Sequence, residues 1–181
     1  MKFHSSIVQT RYQSPLGTII IAATDKGLAG LWFEGQRHLP QELLSPAPVA
    51  SQGTAVWPTD PEHPVLQEVV RQLGEYFAGE RSSFDVALDL SYGTVFQQSV
   101  WKALLAIPQG GTASYGEVSA RIGNPTAVRA VGAAVGRNPV SIIVPCHRVM
   151  GANGALTGYA GGLERKSALL RLEGVLHKAL L

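Results

Sequence analysis

The chain has 181 residues, of which 45% are hydrophobic, and a formal net charge of +2, which suits one globular domain or two small ones. No apolar stretch approaches the ~20 residues of a membrane-spanning helix, and no long apolar core follows MKFHSS, so we expect a cytoplasmic protein without a secretory signal. The single cysteine excludes an internal disulfide and a cysteine-rich zinc site, and the histidines lack H-x-x-x-H spacing, so we expect neither a metal nor a cofactor.

The first residues of the chain predict a small antiparallel sheet. Short strands are predicted over 7–13, 17–24 and 28–34, where β-branched and apolar residues are frequent. Asp25-Lys26-Gly27 is typical of a hairpin turn. Strands joined by such short turns pair in an antiparallel sheet.

A loop, a helix and a further strand are predicted after this sheet. Residues 39–64 hold six prolines separated by polar residues, which is typical of a long loop. Apolar residues at helical spacing then predict a helix that Gly79 ends, and a short strand is predicted near 84–88. Residues 1–90 are therefore interpreted as an α/β support domain without a catalytic cluster. The apolar face of the helix comprises Val65, Leu66, Val69, Leu73, Tyr76 and Phe77.

The second half of the chain is predicted to be mostly helical. Thr94 is a suitable N-cap for a helix over 95–107, which Pro108 and the glycines after it end. The expected fold is an α/β N-terminal domain (a small antiparallel sheet plus a helix), followed by a mostly α C-terminal domain over 91–181 that contains a helix-turn-helix.

Two short helices across a tight turn form the predicted helix-turn-helix. The segment 114–122 has Ser114 as its N-cap and Glu117 three residues later, which is a capping-box pattern. After a Gly-Asn-Pro break, Thr126 is expected to cap a second helix over 127–136. The pattern matches a DNA-binding helix-turn-helix, although α-hairpins that do not bind DNA share this spacing.

Charge is distributed unevenly between the two halves. Residues 1–90 hold six Lys/Arg and ten Asp/Glu, a net charge of −4, whereas residues 91–181 hold nine and three, a net charge of +6. A basic half indicates contact with a polyanion. The alternative is a chance distribution of charges over solvated faces, and charge alone does not decide between the two.

The second helix of the pair is unusual for a helix that reads bases. Its residues are mostly Ala, Gly and Val, with Arg129 as the one long polar side chain, whereas readout in the major groove uses several polar side chains. Small residues allow close approach to a sugar-phosphate backbone, and Arg129 can then fill the stack when a base is extruded. The alternative interpretation is tight helix packing within the domain.

The only cysteine follows a predicted strand. An apolar run over 140–144 predicts a buried strand that ends at Pro145, which has no N–H. Cys146 would therefore be held firmly at a strand end and could face a cleft. A glycine-rich loop is predicted at 158–162, and a final helix over 163–173.

Cys146 is the candidate nucleophile of the chain. A thiol needs a base to become a reactive thiolate, and His147 can take the proton through a water if its ring turns back. Glu173 is the candidate that orients His147, because a carboxylate in the last turn of a helix needs a compensating partner. We expect an anionic sulfur with this pair behind it. A packed, inert thiol and an exposed Glu173 are the alternatives.

Several motifs of the second half resemble a single family. PCHRV at 145–149 resembles the signature of the O6-alkylguanine–DNA alkyltransferases, also called methylated-DNA–protein-cysteine methyltransferases. RAVGAA, the Asn-Pro pair at 138–139, IVPCHRV and GYAGGL, then Lys166 and Glu173, fall at the family's spacing and extend the resemblance over 91–175. The length resembles the stand-alone bacterial form.

The resemblance implies that the partner is double-stranded DNA containing O6-alkylguanine. The second helix of the helix-turn-helix would bind the minor groove, with Arg129 replacing the flipped nucleotide in the stack. Tyr115 would crowd the backbone phosphate and protonate N3 of the leaving guanine. A monomer that binds cooperatively along DNA, with no membrane partner, is expected. The implied DNA contacts are Tyr115, Thr126, Ala127, Val128, Arg129, Ala130 and Gly132.

The resemblance also implies direct transfer of the alkyl group to the protein. Cys146 would attack the alkyl carbon, and His147 and Glu173 would relay the thiol proton through water. Asn138 would brace the segment between the recognition helix and the nucleophile. Because a thioether has no easy leaving group, the protein would be consumed one for one, as a self-inactivating methylated-DNA–[protein]-cysteine S-methyltransferase. The flipped base would be held by Val149, Tyr159 and Ala160.

The sequence departs from the family at two points, and two other functions fit parts of it. Ala160 stands where some members carry serine, so a hydroxyl contact to the guanine oxygen is absent, and the zinc-binding cysteines of some members are missing. O4-alkylthymine remains open as a second substrate. A lesion-binding protein without chemistry is one alternative function. A cysteine hydrolase is the other, but it leaves the helix-turn-helix unexplained.

Overall fold

The computed structural model describes residues 2–44 and 56–176. The chain begins with an antiparallel sheet of three strands in the order β1 (Val8–Ser14), β2 (Gly17–Thr24) and β3 (Gly27–Phe33). Ile19, Ile20 and Ile21 of the central strand are buried, as expected for β-branched residues in a covered sheet. The three predicted strands are confirmed to within one residue at each end.

The predicted strand over 84–88 is wrong, because this segment forms only one parallel bridge, between Leu28 and Leu88. Its backbone is bound by a side chain instead: the Gln72 amide accepts from the Asp85 N–H at 2.9 Å and donates to the Asp85 carbonyl at 2.9 Å. At the bridge the chains approach so closely that a Cβ on Gly27 (φ +143°) would lie 2.5 Å from the Ala87 carbonyl oxygen. Glycine is therefore required at that turn.

The first helix, α1, spans Pro64–Phe77 and packs against the sheet. Pro64 occupies its first position, where a missing N–H costs nothing, and the ring Nδ1 of His63 accepts from the Val65 N–H at 3.3 Å. The predicted loop over 39–64 contains a single 3-10 turn at Gln41–Leu43, and its residues 45–55 lie outside the described residues. The buried residues of α1 are Leu66, Val69, Gln72, Leu73 and Tyr76.

The second helix, α2, spans Val95–Leu105. Thr94 and Gln97 form a reciprocal capping box: the Thr94 hydroxyl accepts from the Gln97 N–H at 3.1 Å, and the Thr94 N–H donates to Gln97 Oε1 at 3.0 Å. The helix ends two residues before the predicted 107, because the N–H of Ile107 bonds to the carbonyl three residues back and closes the turn. The Trp101 indole donates to the Ala134 carbonyl at 2.9 Å and so ties α2 to the later helix that contains Ala134.

The helix-turn-helix consists of α3 (Tyr115–Arg121) and α4 (Val128–Gly136). The Ser114 hydroxyl accepts from the Glu117 N–H at 3.0 Å, which is the forward bond of the predicted capping box. Thr126 is not the N-cap of α4, and this prediction is wrong. Ala127 occupies that position, because its own N–H closes a turn onto the Asn124 carbonyl at 3.1 Å, while the Thr126 hydroxyl lies 3.4 Å from Asn124 Oδ1.

The predicted strand over 140–144 is also wrong, because the segment is a turn. Val140 makes one bridge to Leu31, and Ile142 then adopts a left-handed conformation with φ +70°. The Asn138 amide supplies the bonds that a ladder would have made: its Nδ2 donates to the Val144 carbonyl at 2.7 Å, and its Oδ1 accepts from the Val140 N–H at 2.9 Å. Asn138 therefore braces this turn directly.

The remaining elements surround the cysteine. Cys146–Arg148 forms a 3-10 turn, so Cys146 begins a helical turn and does not follow a strand. The short strands β4 (Ala113–Ser114) and β5 (Val149–Met150) pair in parallel. The last helix, α5, spans Leu163–Leu172, one residue shorter than predicted, with Glu173 as its C-cap.

One hydrophobic core joins the sheet to the helices of the second half. Ile21 and Leu31 of the sheet belong to the same buried cluster as Val100 of α2 and Val131 of α4. The boundary at residue 90 stays a prediction, and the segments on either side share this core. Within the described ranges, no helix is long and apolar enough to cross a membrane, and no group of His, Cys, Asp or Glu is arranged to hold a metal.

Candidate active site

Cys146 lies at a cavity between the helix-turn-helix and the glycine-rich loop. The residue is 5% exposed, and the cavity has a volume of about 180 Å³. The Cys146 N–H donates to the Val144 carbonyl at 2.8 Å, which fixes the turn that carries the thiol. The residues that line the cavity are Arg37, His38, Tyr115, Gly132, Val135, Gly136, Cys146, Gly158, Tyr159 and Ala160.

The thiol of Cys146 is neutral at rest. Burial raises its pKa from 9.0 to about 11, and the Asn138 side chain and the positive charge of Lys166 counteract this only in part. The sequence-based expectation of an anionic sulfur is therefore wrong for the resting protein, because an apolar surrounding penalises the charged form. A neutral thiol becomes a nucleophile only after it loses its proton.

His147 is placed as a base with one free nitrogen. Its Nε2 lies 2.8 Å from Glu173 Oε2, and both side chains are fully buried. Burial lowers the pKa of His147, and the charges of Arg148 and Lys166 lower it further, although the hydrogen bond to Glu173 raises it. A neutral imidazole must donate from Nε2 to the carboxylate, which leaves the lone pair on Nδ1. Among the described residues, Nδ1 has no hydrogen-bond partner.

Glu173 is an ionised carboxylate held by several donors. Arg148 binds it in a bidentate manner, with Nε 2.8 Å from Oε1 and one terminal nitrogen 3.0 Å from Oε2. The Tyr76 hydroxyl donates to Oε2 at 2.6 Å. Burial raises the pKa of Glu173, but the hydrogen bonds from His147 and Arg148 outweigh it and lower the pKa to about 2. Glu173 therefore orients His147 as a fixed anion and does not accept the proton itself.

Two members of this cluster were not assigned from the sequence. Arg148 follows His147 directly, and its guanidinium also donates to the Ile107 carbonyl at 2.6 Å. Because a buried carboxylate needs a buried cation, the arginine directly after His147 could have been predicted as a partner of Glu173. Tyr76 could not have been predicted in this way, because its position on the apolar face of α1 is that of a core residue. The N-terminal half was predicted to hold no catalytic cluster. It nevertheless supplies the Tyr76 side chain to the cluster around Glu173.

Lys166 joins the glycine-rich loop to β5. Its fully buried ammonium donates to the carbonyls of Val149 at 2.6 Å and Thr157 at 2.9 Å. Burial lowers the pKa of Lys166, and the nearby Cys146 opposes that effect. These bonds hold the loop that forms one wall of the cavity.

The residues predicted to hold the base are only partly brought together. Tyr159 and Ala160 line the cavity, and the Ala160 carbonyl accepts from the Arg37 N–H at 3.0 Å. Val149 is fully buried in β5 and is not part of the lining. The contact of the Val149 backbone with the base stays a prediction, and its carbonyl accepts from the Lys166 ammonium at 2.6 Å.

The residues predicted to contact DNA form an accessible surface beside the cavity. Tyr115 lines the cavity, and its hydroxyl accepts from the Thr157 hydroxyl at 3.3 Å. Gly132 faces the Tyr115 ring, where a Cβ would lie 3.8 Å from the nearest ring carbon. Arg129 is exposed, with small neighbours on the same helix. The exposed residues are Thr126, Val128, Arg129 and Ala130, and Ala127 and Gly132 are half-buried.

Comparison with known proteins identifies the family of this chain. The model of the 6-O-methylguanine DNA methyltransferase DNA binding domain matches residues 95–175, and that of its ribonuclease-like domain matches residues 7–90. The chain belongs to the 6-O-methylguanine DNA methyltransferase family. The family resemblance drawn from PCHRV is therefore confirmed, and Cys146 lies in the segment that the DNA-binding model matches.

Relatives and solved structures of the methyltransferase family cover nearly the whole chain. The methylated-DNA–protein-cysteine methyltransferase of Mycobacterium bovis is 50% identical over 160 residues, 88% of each chain. That of Methanosarcina acetivorans is 48% identical over 164 residues, 90% of this chain and 96% of the relative. The structure of Mycobacterium tuberculosis O6-methylguanine methyltransferase gives a TM-score of 0.79 at 47% identity, covering 96% of both chains. Mycobacterium tuberculosis OGT in complex with DNA gives 0.76 at 48% identity and 90% coverage of both.

Proposed function

We propose that this methyltransferase repairs DNA by moving the alkyl group of O6-alkylguanine irreversibly onto Cys146. The observation that carries the proposal is a buried thiol at a cavity, followed in the chain by an imidazole whose Nε2 is bound to an ionised carboxylate and whose Nδ1 has no hydrogen-bond partner among the described residues. Relatives of similar length are named methylated-DNA–protein-cysteine methyltransferases. We expect the protein to act in the cytoplasm and as a monomer.

In the proposed reaction the thiol proton passes through a water to His147 Nδ1. The sulfur attacks the alkyl carbon, the bond from that carbon to guanine O6 breaks, and a C–S bond forms. The Tyr115 hydroxyl gives a proton to N3 of the leaving guanine and recovers one when His147 releases its own. Once the N3 proton has exchanged through water for one on N1, the products are a thioether on Cys146 and an unmodified guanine in DNA. Because a thioether has no easy leaving group, each protein molecule acts once.

The proposed DNA contact uses α4 in the minor groove. Its small residues allow the helix backbone to approach the sugar-phosphate chain, and the exposed Arg129 fills the gap left by the flipped nucleotide. Tyr115, half-buried between the cavity and the surface, crowds the phosphate of that nucleotide. Cooperative binding along DNA and the domain boundary at residue 90 are parts of this proposal. The remaining contacts are Thr126, Ala127, Val128, Ala130 and Gly132.

Mass spectrometry tests the proposal directly. The folded protein is incubated with a duplex oligonucleotide that contains O6-methylguanine, and the peptide with Cys146 is expected to gain one methyl group. Cys146→Ala should bind the same oligonucleotide and gain none. An unmodified Cys146 peptide from folded protein would contradict the proposal. A full biological effect of Cys146→Ala would instead support a lesion-binding protein without chemistry.

A further inference from the structure

Tyr76 of the N-terminal half and the proposed catalytic His147 bind the same carboxylate oxygen of Glu173. Its hydroxyl donates to Glu173 Oε2 at 2.6 Å, and His147 Nε2 lies 2.8 Å from the same oxygen. Tyr76 is 2% exposed, and its ring packs against Phe77 and Phe84. The hydroxyl is therefore held in place from the α1 side and cannot turn to solvent.

We propose that Tyr76 is a positioning residue for alkyl transfer, which fixes Glu173 Oε2 and limits how strongly this oxygen attracts a proton to His147. The inference rests on the proposed function, since it concerns the proton that leaves Cys146. It gives the N-terminal half a part in the chemistry, beyond the support of the fold.

Donors that bind the same carboxylate oxygen compete for its negative charge. Each donor withdraws negative charge from the oxygen that it binds, so a bond from Tyr76 weakens the attraction that Oε2 exerts on the imidazolium form of His147. Burial and the negative charge of Glu173 raise the pKa of the Tyr76 hydroxyl, so it stays protonated and remains a donor at every working pH. Without this bond, Oε2 would stabilise a protonated His147 more strongly.

A protonated His147 cannot accept the thiol proton, so the proposal predicts a change in the pH dependence of transfer. Removing the hydroxyl should raise the pKa of His147 and move the acid limb of the rate profile to higher pH. Replacement by phenylalanine keeps the ring and its packing. The charged and titratable groups that face His147 and Glu173 are Tyr76 from α1, Cys146 and Arg148 from the 3-10 turn, Tyr159 from the glycine-rich loop and Lys166 from α5.

The test compares the rate of methyl transfer from an O6-methylguanine duplex across pH, measured by quenched mass spectrometry of the Cys146 peptide. For Tyr76→Phe, the acid limb is expected to move upward by roughly half a pH unit or more, with a smaller change at alkaline pH. Tyr92→Phe is the matched control, because the Tyr92 hydroxyl also binds a carboxylate, Asp89 Oδ2 at 3.1 Å, and neither residue lines the cavity. Its profile should equal that of the unmodified protein.

A second replacement keeps the proposal testable if Tyr76→Phe does not fold. A ring-fluorinated tyrosine at position 76 is a stronger donor of nearly the same size, so its acid limb should move to lower pH. An acid limb that stays in place in both, or a loss of rate that is uniform across pH, would overturn the proposal. If the unmodified protein leaves Cys146 unmethylated, the proposed function itself fails. If it methylates Cys146 and the limb does not move, only the role of Tyr76 fails.

Discussion

Two opposite kinds of surface meet at Cys146. Behind the thiol lies a buried cluster of charges, in which the Glu173 carboxylate is bound by Tyr76, His147 and Arg148. In front of it lies the outer face of α4, which carries small residues and the exposed Arg129. The buried side is fixed by hydrogen bonds because uncompensated charge in an apolar interior is costly. On the exposed side the small residues leave room for close approach, which the proposed DNA contact requires.

Substitutions on the two sides should therefore have different effects on stability and on alkyl transfer. A change on the buried side leaves a charge without a partner, so it should lower both stability and transfer. A substitution on the exposed side leaves the fold intact, so it should lower only the binding of DNA and transfer from duplex DNA.

Glu173→Gln should have the largest effect on stability. It leaves the Arg148 guanidinium buried without its carboxylate, and breaking a buried ion pair in this way costs about 3–5 kcal/mol. The measurement is chemical denaturation at neutral pH. Glu164→Gln, exposed in the first turn of the same helix, is the control and should change stability by less than about 0.5 kcal/mol. Equal effects of the two variants would contradict the account of the buried side.

The ionised Glu173 carboxylate should also make the free energy of unfolding depend on pH. The pKa of Glu173 is about 2 in the fold against an ordinary value of 4.5, which corresponds to stabilisation on the order of 3 kcal/mol. This contribution is fully present above about pH 4.5 and is lost as the pH falls towards about 2, because the unfolded chain binds the proton first. Denaturation of the protein and of Glu173→Gln at a series of pH values measures it. A stability difference between the two that does not change with pH would argue against an ionised Glu173.

Arg129→Ala should affect DNA handling without affecting the fold. Flipping a base costs roughly a few kcal/mol, so transfer from duplex DNA is expected to fall about 10- to 100-fold, while transfer from free O6-alkylguanine base stays unchanged. Single-turnover rates on both substrates measure the difference. Arg171→Ala, exposed on α5, controls for loss of one positive charge. An equal loss on both substrates would remove Arg129 from this role.

Salt should give the smallest effect and act on the exposed side alone. Phosphate contacts release counterions, with a slope of about 0.9 per contact in the logarithm of affinity. Doubling the salt concentration should therefore weaken binding to duplex DNA several-fold, while transfer from the free base changes little. Titration of a labelled duplex at several salt concentrations measures the slope. A flat dependence would mean that the basic second half does not bind phosphates.

The fold could be predicted well where a segment's own pattern decides its structure. The three strands followed from apolar, β-branched runs and a hairpin turn, and the two short helices of the helix-turn-helix followed from the Ser114 cap and a Gly-Asn-Pro break. The apolar run over 140–144 misled, because burial alone does not distinguish a strand from a turn. A single Asn138 side chain binds its backbone and replaces the ladder.

The protonation state of the site depended on the packed structure. Cys146, His147 and Glu173 could be proposed from residue type and position. Their charges could not, because the pKa of a thiol or a carboxylate depends on burial and on neighbours that the chain brings in from far away. The hydroxyl of Tyr76 reaches Glu173 across 97 positions of sequence.

The sequence by itself determined the three strands of the sheet, the order of the helices, the family and the candidate nucleophile, since these depend on local pattern and on motifs that are contiguous in the chain. Only the tertiary structure decided that burial raises the pKa of the Cys146 thiol, that Nδ1 of His147 has no hydrogen-bond partner within the described ranges, and that α1 of the N-terminal half contributes a donor to the Glu173 carboxylate. The physical reason is that desolvation and hydrogen bonding act over a few ångströms of space, regardless of separation along the chain.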